Sequence, residues 1–598
     1  MILQSLVRFY DILASDEESG ISMPGYSRTN ISYALNISKE GELLEILPLQ
    51  NKVMRGKKEV DVPQVAIVPE QVKKSSGINP NFLCENSAYT IGIDNKGKPE
   101  RTKKCFEAFQ SFHNELLADV QCDEAVALLN FLNNWQIETA LEHDEVNRYK
   151  DELMAGANIV FKLDNGAYMH ECSGIKNAWD SYKNHGDSGK QMQCLVTGET
   201  ASIARLNPSI KGVKNAQPSG ASLVSFNARS YESYGRDDMQ GLNSPISEKA
   251  AFAYGTTLNY LIADCNHTLS LGDATIVYWA ECAGSTYRNA AALLFSPDKL
   301  QADDKDKVIR DDNAEQLVGS ILDKISKGDN VNTMVEFQDE TNFYVLGLSP
   351  NAARVSVRFF MQDTFGKFAK KVAQHYCDLH IEKQFESEPN SIPLWLLLAQ
   401  TVSPNARDKA SSPLLSGSVL RAIINGTAYP VALLNAIMLR IKAEREINYC
   451  KAAIIKAYLT RRNYEKYKEV LTMSLNAQSE NIAYLLGRLF AVMEKAQQDA
   501  TPGINATIKD RYFSSASSTP ASVFPVLLRL SQHHISKAKY GYASDRLIAE
   551  IIEKIDMENN PIPSNLLLED QGVFVLGYYH QRNDLYTKKT KEVNEEEN

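Results

Sequence analysis

The pattern of apolar residues changes character once along this chain, near residue 381, and that change limits the folds open to it. Upstream, apolar and polar residues alternate in short runs. These are NISYALNI and ELLEILPL (30–50) joined by the turn-forming KEG, and NIVFKLDNGAY (158–168) with Asn165-Gly166 as a two-residue turn; ATIVYWA (274–280), a nearly continuous apolar run, reads as a further strand with Trp279 as core. FYVLGLS (343–349) and RVSVRFFMQ (354–362) follow, predicted to turn around Ser349, Pro350 and Asn351. Period-two alternation between turn-formers predicts half-buried strands. Downstream, the apolar residues of LWLLLAQ, VLRAII, VALLNAIMLRIKAE, YCKAAIIKAYLTRR, NIAYLLGRLFAVMEKA, VFPVLLRLSQHHISKA and RLIAEIIEKI fall at helical spacing. The expected class is therefore α+β: a mixed α/β amino-terminal body with β-hairpins, followed by a carboxyl-terminal all-helical bundle.

Helices also punctuate the first part. MILQSLVRFYDILA is amphipathic, and 106–150 has helical spacing in Phe109, Phe112, Leu116 and Leu117. Ser247 is placed to cap a helix reaching Ala263, whose Tyr254, Leu258, Leu261 and Ile262 share one face. AYTIGID (88–94) looks like a strand, and from about residue 586 the polar tail YTKKTKEVNEEEN predicts disorder.

A chain of 598 residues exceeds one ordinary core, so two to four domains are expected. The opening segment is broken by Gln, Ser, Arg and Asp, unlike a signal peptide or membrane span, which predicts a cytoplasmic protein without a membrane partner. Nine scattered cysteines include no C-x-x-C pair, which argues against a zinc ribbon or disulfide framework and predicts reduced thiols. Net charge is −10, acidic for a protein that binds nucleic acid. The balance is uneven, however: 301–340 holds five basic against eleven acidic residues, 341–380 five against two, and 437–471 nine against four. Local patches set the field that a phosphate feels.

Two loops combine cations with small polar side chains. In KKSSGINPNFL (73–83), Lys73 and Lys74 can neutralise phosphates while Ser75, Ser76, Asn79 and Asn81 offer donors and acceptors to a base edge. A plain surface turn uses the same residue types. In KGVKNAQPSG (211–220), Gly212, Pro218 and Gly220 fix the shape, leaving Lys211, Lys214, Asn215, Gln217 and Ser219 to point outward. That loop suits a clamp on duplex DNA, or a long surface connection.

These stretches, with MILQSLVRFYDIL, ISYALNI, CLVTGETASIARLNPSIKGVKNAQPSGASLVSFNARSYESYG (194–235), RAIINGTAYPVALLNAIMLRIKAE (421–444), AYLLGRLFAVMEKAQ and NATIKDRYFSSASSTP, closely resemble the Csd1-type large subunit of the type I-C CRISPR interference complex (type I-C Cascade) across essentially the whole chain. The resemblance implies a non-catalytic subunit that reads the protospacer-adjacent motif (PAM) in double-stranded DNA, promotes unwinding and R-loop formation, and stabilises the displaced strand. Its implied partners are crRNA, target duplex, the backbone and crRNA-processing subunits, a helicase-nuclease recruited afterwards, and a small subunit made from the same gene. It further implies groove readout by the first loop, with Ser76 beside Gly77 the leading residue. Under this reading the domains are 1–120 with the PAM-reading loop, 121–380 with the second loop, a helical region 381–472, and a small-subunit-like bundle 473–598, with Met473 as a possible internal start.

A path for unpaired strand is also expected. Arg354 and Arg358 lie four apart in an alternating strand and should share a face, near Lys367, Lys370 and Lys371 at a helix start. Ordinary outward charge on a half-buried sheet is the alternative. In the helical end, Arg488, Lys509, Arg511, Arg529, Lys537 and Lys539 are candidates, with Tyr512, Phe513 and Tyr540 to stack on bases, although most such charges serve only as solvated faces. Enzymatic patterns are weak. GDSGKQ (186–191) has Asn184 in place of the first P-loop glycine and Gln191 in place of the Ser or Thr that holds magnesium. His375, Cys377 and His380 do not share a helical face, and His533 and His534 are adjacent, so no metal, cofactor or catalytic residue is expected. The rival readings are a metal-dependent nuclease or hydrolase with scattered Asp, Glu and His, and a structural scaffold that fastens the crRNA end.

Overall fold

The computed structural model describes residues 2–587 except 17–18, 56–57, 72–76, 186–189, 233–234, 237–238, 265–266, 302–308, 310, 328–339, 408–409, 557 and 559–560. The chain forms two compact units. The first comprises Met1–Pro208 and Val224–Tyr260, the second Ser209–Leu223 and Leu261–Asn598. Strands in the first half and helices in the second give the α+β class read from the sequence.

In the first unit the helix Ile2–Ala14 buries Leu6, Phe9, Tyr10 and Leu13, spaced to share one face, and the Tyr10 hydroxyl donates to the Ser22 carbonyl at 3.0 Å. The hairpin read at 30–50 is present as Tyr33–Ile37 paired antiparallel with Leu43–Pro48. A parallel neighbour, Asn158–Leu163, and the short Glu85–Asn86 complete a four-stranded sheet. The second arm expected after Asn165-Gly166 shrinks to one bridge, Lys162↔Tyr168, because the chain turns at once into the 3-10 turn Met169–Glu171. A separate three-stranded sheet runs Tyr26–Ile31, Lys58–Pro69, Gln50–Arg55. Residues 88–94 differ from the expectation: Ser87–Thr90 is a helical turn, because the Asn86 side chain accepts the Ala88 N–H and caps it. Tyr33, Leu35 and Ile37 pack with Phe82, Phe109, Phe131 and Phe161 into one core beneath the helices Pro99–Leu116 and Asp123–Asn134.

The second unit is built on a six-stranded sheet in the order Ser209–Ile210, Ala221–Ser222, Arg354–Thr364, Asn342–Asn351, Ala274–Ala280, Thr268–Leu271. Every residue of Ala274–Ala280 is buried, and Trp279 stacks on Tyr344 at 5.2 Å. Ser349, Pro350 and Asn351 belong to the strand Asn342–Asn351, and the reversal falls at Ala352, with φ of +52°, and Ala353. The helix expected from Ser247 spans Glu248–Ala263, passing from the first unit to the second after Tyr260, with the Ser247 hydroxyl accepting the Ala250 N–H at 3.2 Å. After Thr364 the described residues contain helices and no strand. Within this bundle a buried polar network joins two helices and the link before a third: Arg461 Nε donates to Asp378 at 2.5 Å, its guanidinium lies 4.6 Å from the Tyr429 ring centre, and the Tyr429 hydroxyl meets His375 Nδ1 at 2.5 Å. The helices Ile482–Ala500 and Leu568–Tyr586 approach so closely that a Cβ on Gly487 would lie 2.0 Å from the Phe574 carbonyl oxygen.

Candidate nucleic-acid interface

Residues 211–220 form the loop of a hairpin closed by the pairs Ile210↔Ala221 and Ser209↔Ser222. Two glycines set its course. Gly212 has φ of +81° and a Cβ there would lie 2.8 Å from Ile262 Cγ2, while Gly220 has φ of +93° and would bring a Cβ to 2.9 Å from Ser209. Val213 is buried as an anchor, and the neighbouring Lys214 N–H donates to Thr275 Oγ1 at 2.9 Å, fastening the loop to the fully buried strand. Turn bonds from Ala216 N–H to Val213 O and from Gly220 N–H to Gln217 O fold the rest, with Asn215 in the left-handed region at φ +62°. The side chains of Lys211, Lys214, Asn215, Gln217 and Ser219 are all exposed. The backbone is thus held by the protein while cations and hydrogen-bonding groups face solvent.

The sheet puts Arg354 next to this hairpin, since Ser222 pairs with Arg354 in parallel register. Arg354 is half-buried and Arg358 exposed. The expectation that the two share a face through strict alternation needs correction, because the register shifts at Gly347/Leu348 and leaves Arg358 as the unpaired residue of a bulge. Its guanidinium turns back to the protein, donating to Ser349 Oγ at 2.6 Å and to Asp273 at 3.2 Å. Farther along, Thr364 caps the helix Phe365–Leu379, and Lys367 and Lys371 flank Asp363 at 3.8 and 2.6 Å. Burial works to raise the Asp363 pKa, but the Lys371 ammonium, the Thr364 N–H and Lys367 outweigh it and hold the carboxyl below its usual value. Lys370 is half-buried on the same helix.

Of the first loop, Lys73, Lys74, Ser75 and Ser76 lie outside the described residues. Gly77 follows with φ of +85° and open space around it, and its carbonyl accepts Arg101 Nη2 at 3.3 Å. Asn79 is exposed. Asn81 is turned inward: it is buried, its amide donating to Glu85 at 2.8 Å and to Gln71 at 2.9 Å, so its polar groups shape the loop's base and do not face solvent.

The helical end divides the candidates. Arg488 is buried, with Nε on Gln581 at 3.0 Å and Nη1 on the Ala477 carbonyl at 3.1 Å, and burial lowers its pKa. Phe513 is core, ringed by Phe490, Phe574 and Tyr578. Neither can line a groove: both sit on helix faces turned to the bundle centre, where the sequence pattern suggested solvent. Tyr512 and Lys509 are half-buried, whereas Arg511, Arg529 and Lys537 are exposed. Where the helix Pro520–Lys537 meets Gly541–Glu553, Lys539 sits 5.4 Å from the ring of exposed Tyr540, and Tyr542 is 76% exposed. Thr275, Arg101 and Tyr542 were missed by sequence reasoning. The first two act from outside their loops, and a lone exposed tyrosine carries no pattern.

The 186–191 stretch is largely outside the described residues, and His375 is buried against Tyr429, with its pKa driven well below the usual value by desolvation. No described helix is long and apolar enough to cross a membrane. No curated protein matches the chain. Residues 6–586 match the family described as CRISPR-associated protein (Cas_Csd1). With so nearly complete a span covered, the chain belongs to the CRISPR-associated Csd1 family, the large subunits of the type I-C CRISPR interference complex.

Proposed function

We propose that this subunit inspects the PAM on duplex DNA, helps open the duplex into an R-loop and steadies the displaced strand, while pairing to crRNA supplies sequence specificity. The observation that carries this reading is the 211–220 hairpin, a backbone pinned by Gly212, Val213, Gly220 and Thr275 that offers five exposed cationic or hydrogen-bonding side chains beside Arg354. Lysines position the loop on phosphates, and the exposed Asn215, Gln217 and Ser219 carry the donors and acceptors that base edges pair with. The loop at 73–79 supplies the companion contact, with Lys74 on phosphate and Ser76 and Asn79 on a groove edge. Lys367 and Lys370, and farther on Arg511, Arg529, Lys537 and Lys539 with Tyr540, give the freed strand charge and a stacking ring.

In this reading the subunit has no catalytic centre. It joins crRNA and the backbone and crRNA-processing subunits, and supports recruitment of a helicase-nuclease. The stretch 473–598, started at Met473, serves as the small subunit. The test is binding of the assembled complex to duplexes with and without the motif. Lys211→Ala with Lys214→Ala should weaken both about tenfold and lower the salt slope by roughly one per lysine, whereas Gln217→Ala or Ser76→Ala with Lys74→Ala should erode discrimination between them. Unaltered affinity and selectivity at moderate salt would remove both loops from the mechanism. Incubation of the chain with DNA, magnesium and manganese should give no turnover.

A further inference from the structure

Cysteines with no sequence pattern between them converge in the first unit. Cys122 is the residue before the helix Asp123–Asn134, and Glu124 lies in that helix's first turn. Cys172 ends the turn Met169–Glu171 and precedes the helix Ser173–His185. The fold brings Cys172 Sγ to 3.4 Å from Cys122 Sγ and to 3.4 Å from Glu124 Oε2, and all three donor atoms lie within 4.8 Å of one another. Each residue is half-buried, so the cluster is reachable from solvent yet packed against the aromatic core. Gly174 walls one side, where a Cβ would lie 3.5 Å from Cys122 Sγ. Asp123 points elsewhere, to Lys39 at 2.5 Å.

We infer that Cys122, Glu124 and Cys172 form a three-residue site for one thiophilic divalent cation of the zinc class, with the fourth coordination position open. The spacing carries the argument. In a tetrahedral site with Zn–S near 2.3 Å and Zn–O near 2.0–2.2 Å, the edges are about 3.8 Å between two sulfurs and about 3.6 Å between sulfur and oxygen. The two 3.4 Å separations from Cys172 Sγ need only a few tenths of an ångström of expansion to match these edges, and the third edge, between Cys122 Sγ and the Glu124 carboxylate, lies within 4.8 Å and closes by a turn of the carboxylate. A disulfide at about 2.05 Å would need the sulfurs to close by more than an ångström and would leave the Glu124 carboxylate against them without a role. Two thiols and one carboxylate also select by softness: they suit zinc or cobalt and disfavour magnesium and calcium. On binding, the metal forms two M–S bonds and one M–O bond, each thiol releases its proton to solvent, and the cation's two charges meet three ligand charges. The bound ion would clamp two helix starts that are 50 residues apart in the chain.

The test uses the full chain, stripped of metal with a chelator and kept under a thiol reductant. Titration with zinc(II) against a chromophoric chelator should give one tight equivalent, and cobalt(II) should give the intense visible and near-ultraviolet bands of tetrahedral thiolate coordination. Cys122→Ser with Cys172→Ser should abolish both, Glu124→Gln should weaken zinc by about tenfold or more, and Cys282→Ser should change neither. Zinc should raise the melting midpoint of the unaltered chain and leave that of the double-serine variant where it is. This second readout separates a lost site from a misfolded variant. Absence of a tight equivalent, zinc binding that survives the double substitution, or a Cys122–Cys172 disulfide persisting under reductant would each overturn the assignment.

Discussion

His113 shows what burial does to a single group. Its ring is fully enclosed, stacked 5.0 Å from Phe82 and tilted against Phe109 at 4.0 Å, with Nδ1–H donating to the Phe109 carbonyl and Nε2 accepting the Leu83 N–H. Desolvation pushes its pKa down to about 4, and the same cause takes His170 to about 4 and His580 to about 3. Each folded value lies below the unfolded value of about 6.5, so the unfolded chain takes up protons first on acidification. The stability these neutral rings contribute is complete above about pH 6.5 and is lost as pH falls toward 4, about 3 kcal/mol for His113 alone. The melting midpoint should therefore fall steadily between about pH 7 and about pH 5 at constant ionic strength; a flat profile would mean these rings are hydrated. Arg488 makes the complementary point: its charge led to an assignment at the surface, yet Gln581 and the Ala477 carbonyl satisfy it inside. Nothing in a single sequence marks which arginine has such partners.

Elements add constraints that no one residue carries. The 211–220 loop depends on Thr275, whose hydroxyl takes the Lys214 N–H from a strand some 60 positions away. Thr275→Val keeps the shape and removes that bond, about 1 kcal/mol of anchoring, so duplex binding by the complex should drop about fivefold while the melting midpoint barely moves. In the bundle, Gly487→Ala would push a methyl group into the Phe574 carbonyl, and the mirrored contact of Gly577 with the Tyr484 carbonyl offers no slack. The helices must separate, which should cost on the order of 2–3 kcal/mol in urea unfolding. Ala274–Ala280 was legible because a strand buried on both faces is a plain apolar run, and the 211–220 loop because its glycines and proline mark bends. The Arg358 bulge was not read, because its own strand holds no glycine or proline and the one cue, Gly347, lies on the facing strand at the register shift; Ser87–Thr90 was misjudged because capping by Asn86 outweighed β propensity. The convergence of Cys122 and Cys172 is likewise a product of topology, invisible in spacing.

At the scale of the molecule, the path of the chain is the unusual property. It leaves the first unit after Pro208, contributes Ser209–Leu223 to the second, returns for Val224–Tyr260, and leaves again. A protease site engineered into the exposed stretch 227–231 tests this directly. The amino-terminal product would carry the strand Ala221–Ser222, which pairs with Arg354, and the carboxyl-terminal product would carry Phe252, which packs edge-on against Tyr10 at 5.9 Å. The nicked protein should co-elute as one species without denaturant, and separation into two peaks would show that these exchanged segments hold little. For anyone hoping to lift the hairpin-bearing half out of the gene, no single choice of first and last codon will serve: each half is stitched from two lengths of polypeptide, so the two must be synthesised together and inherited together.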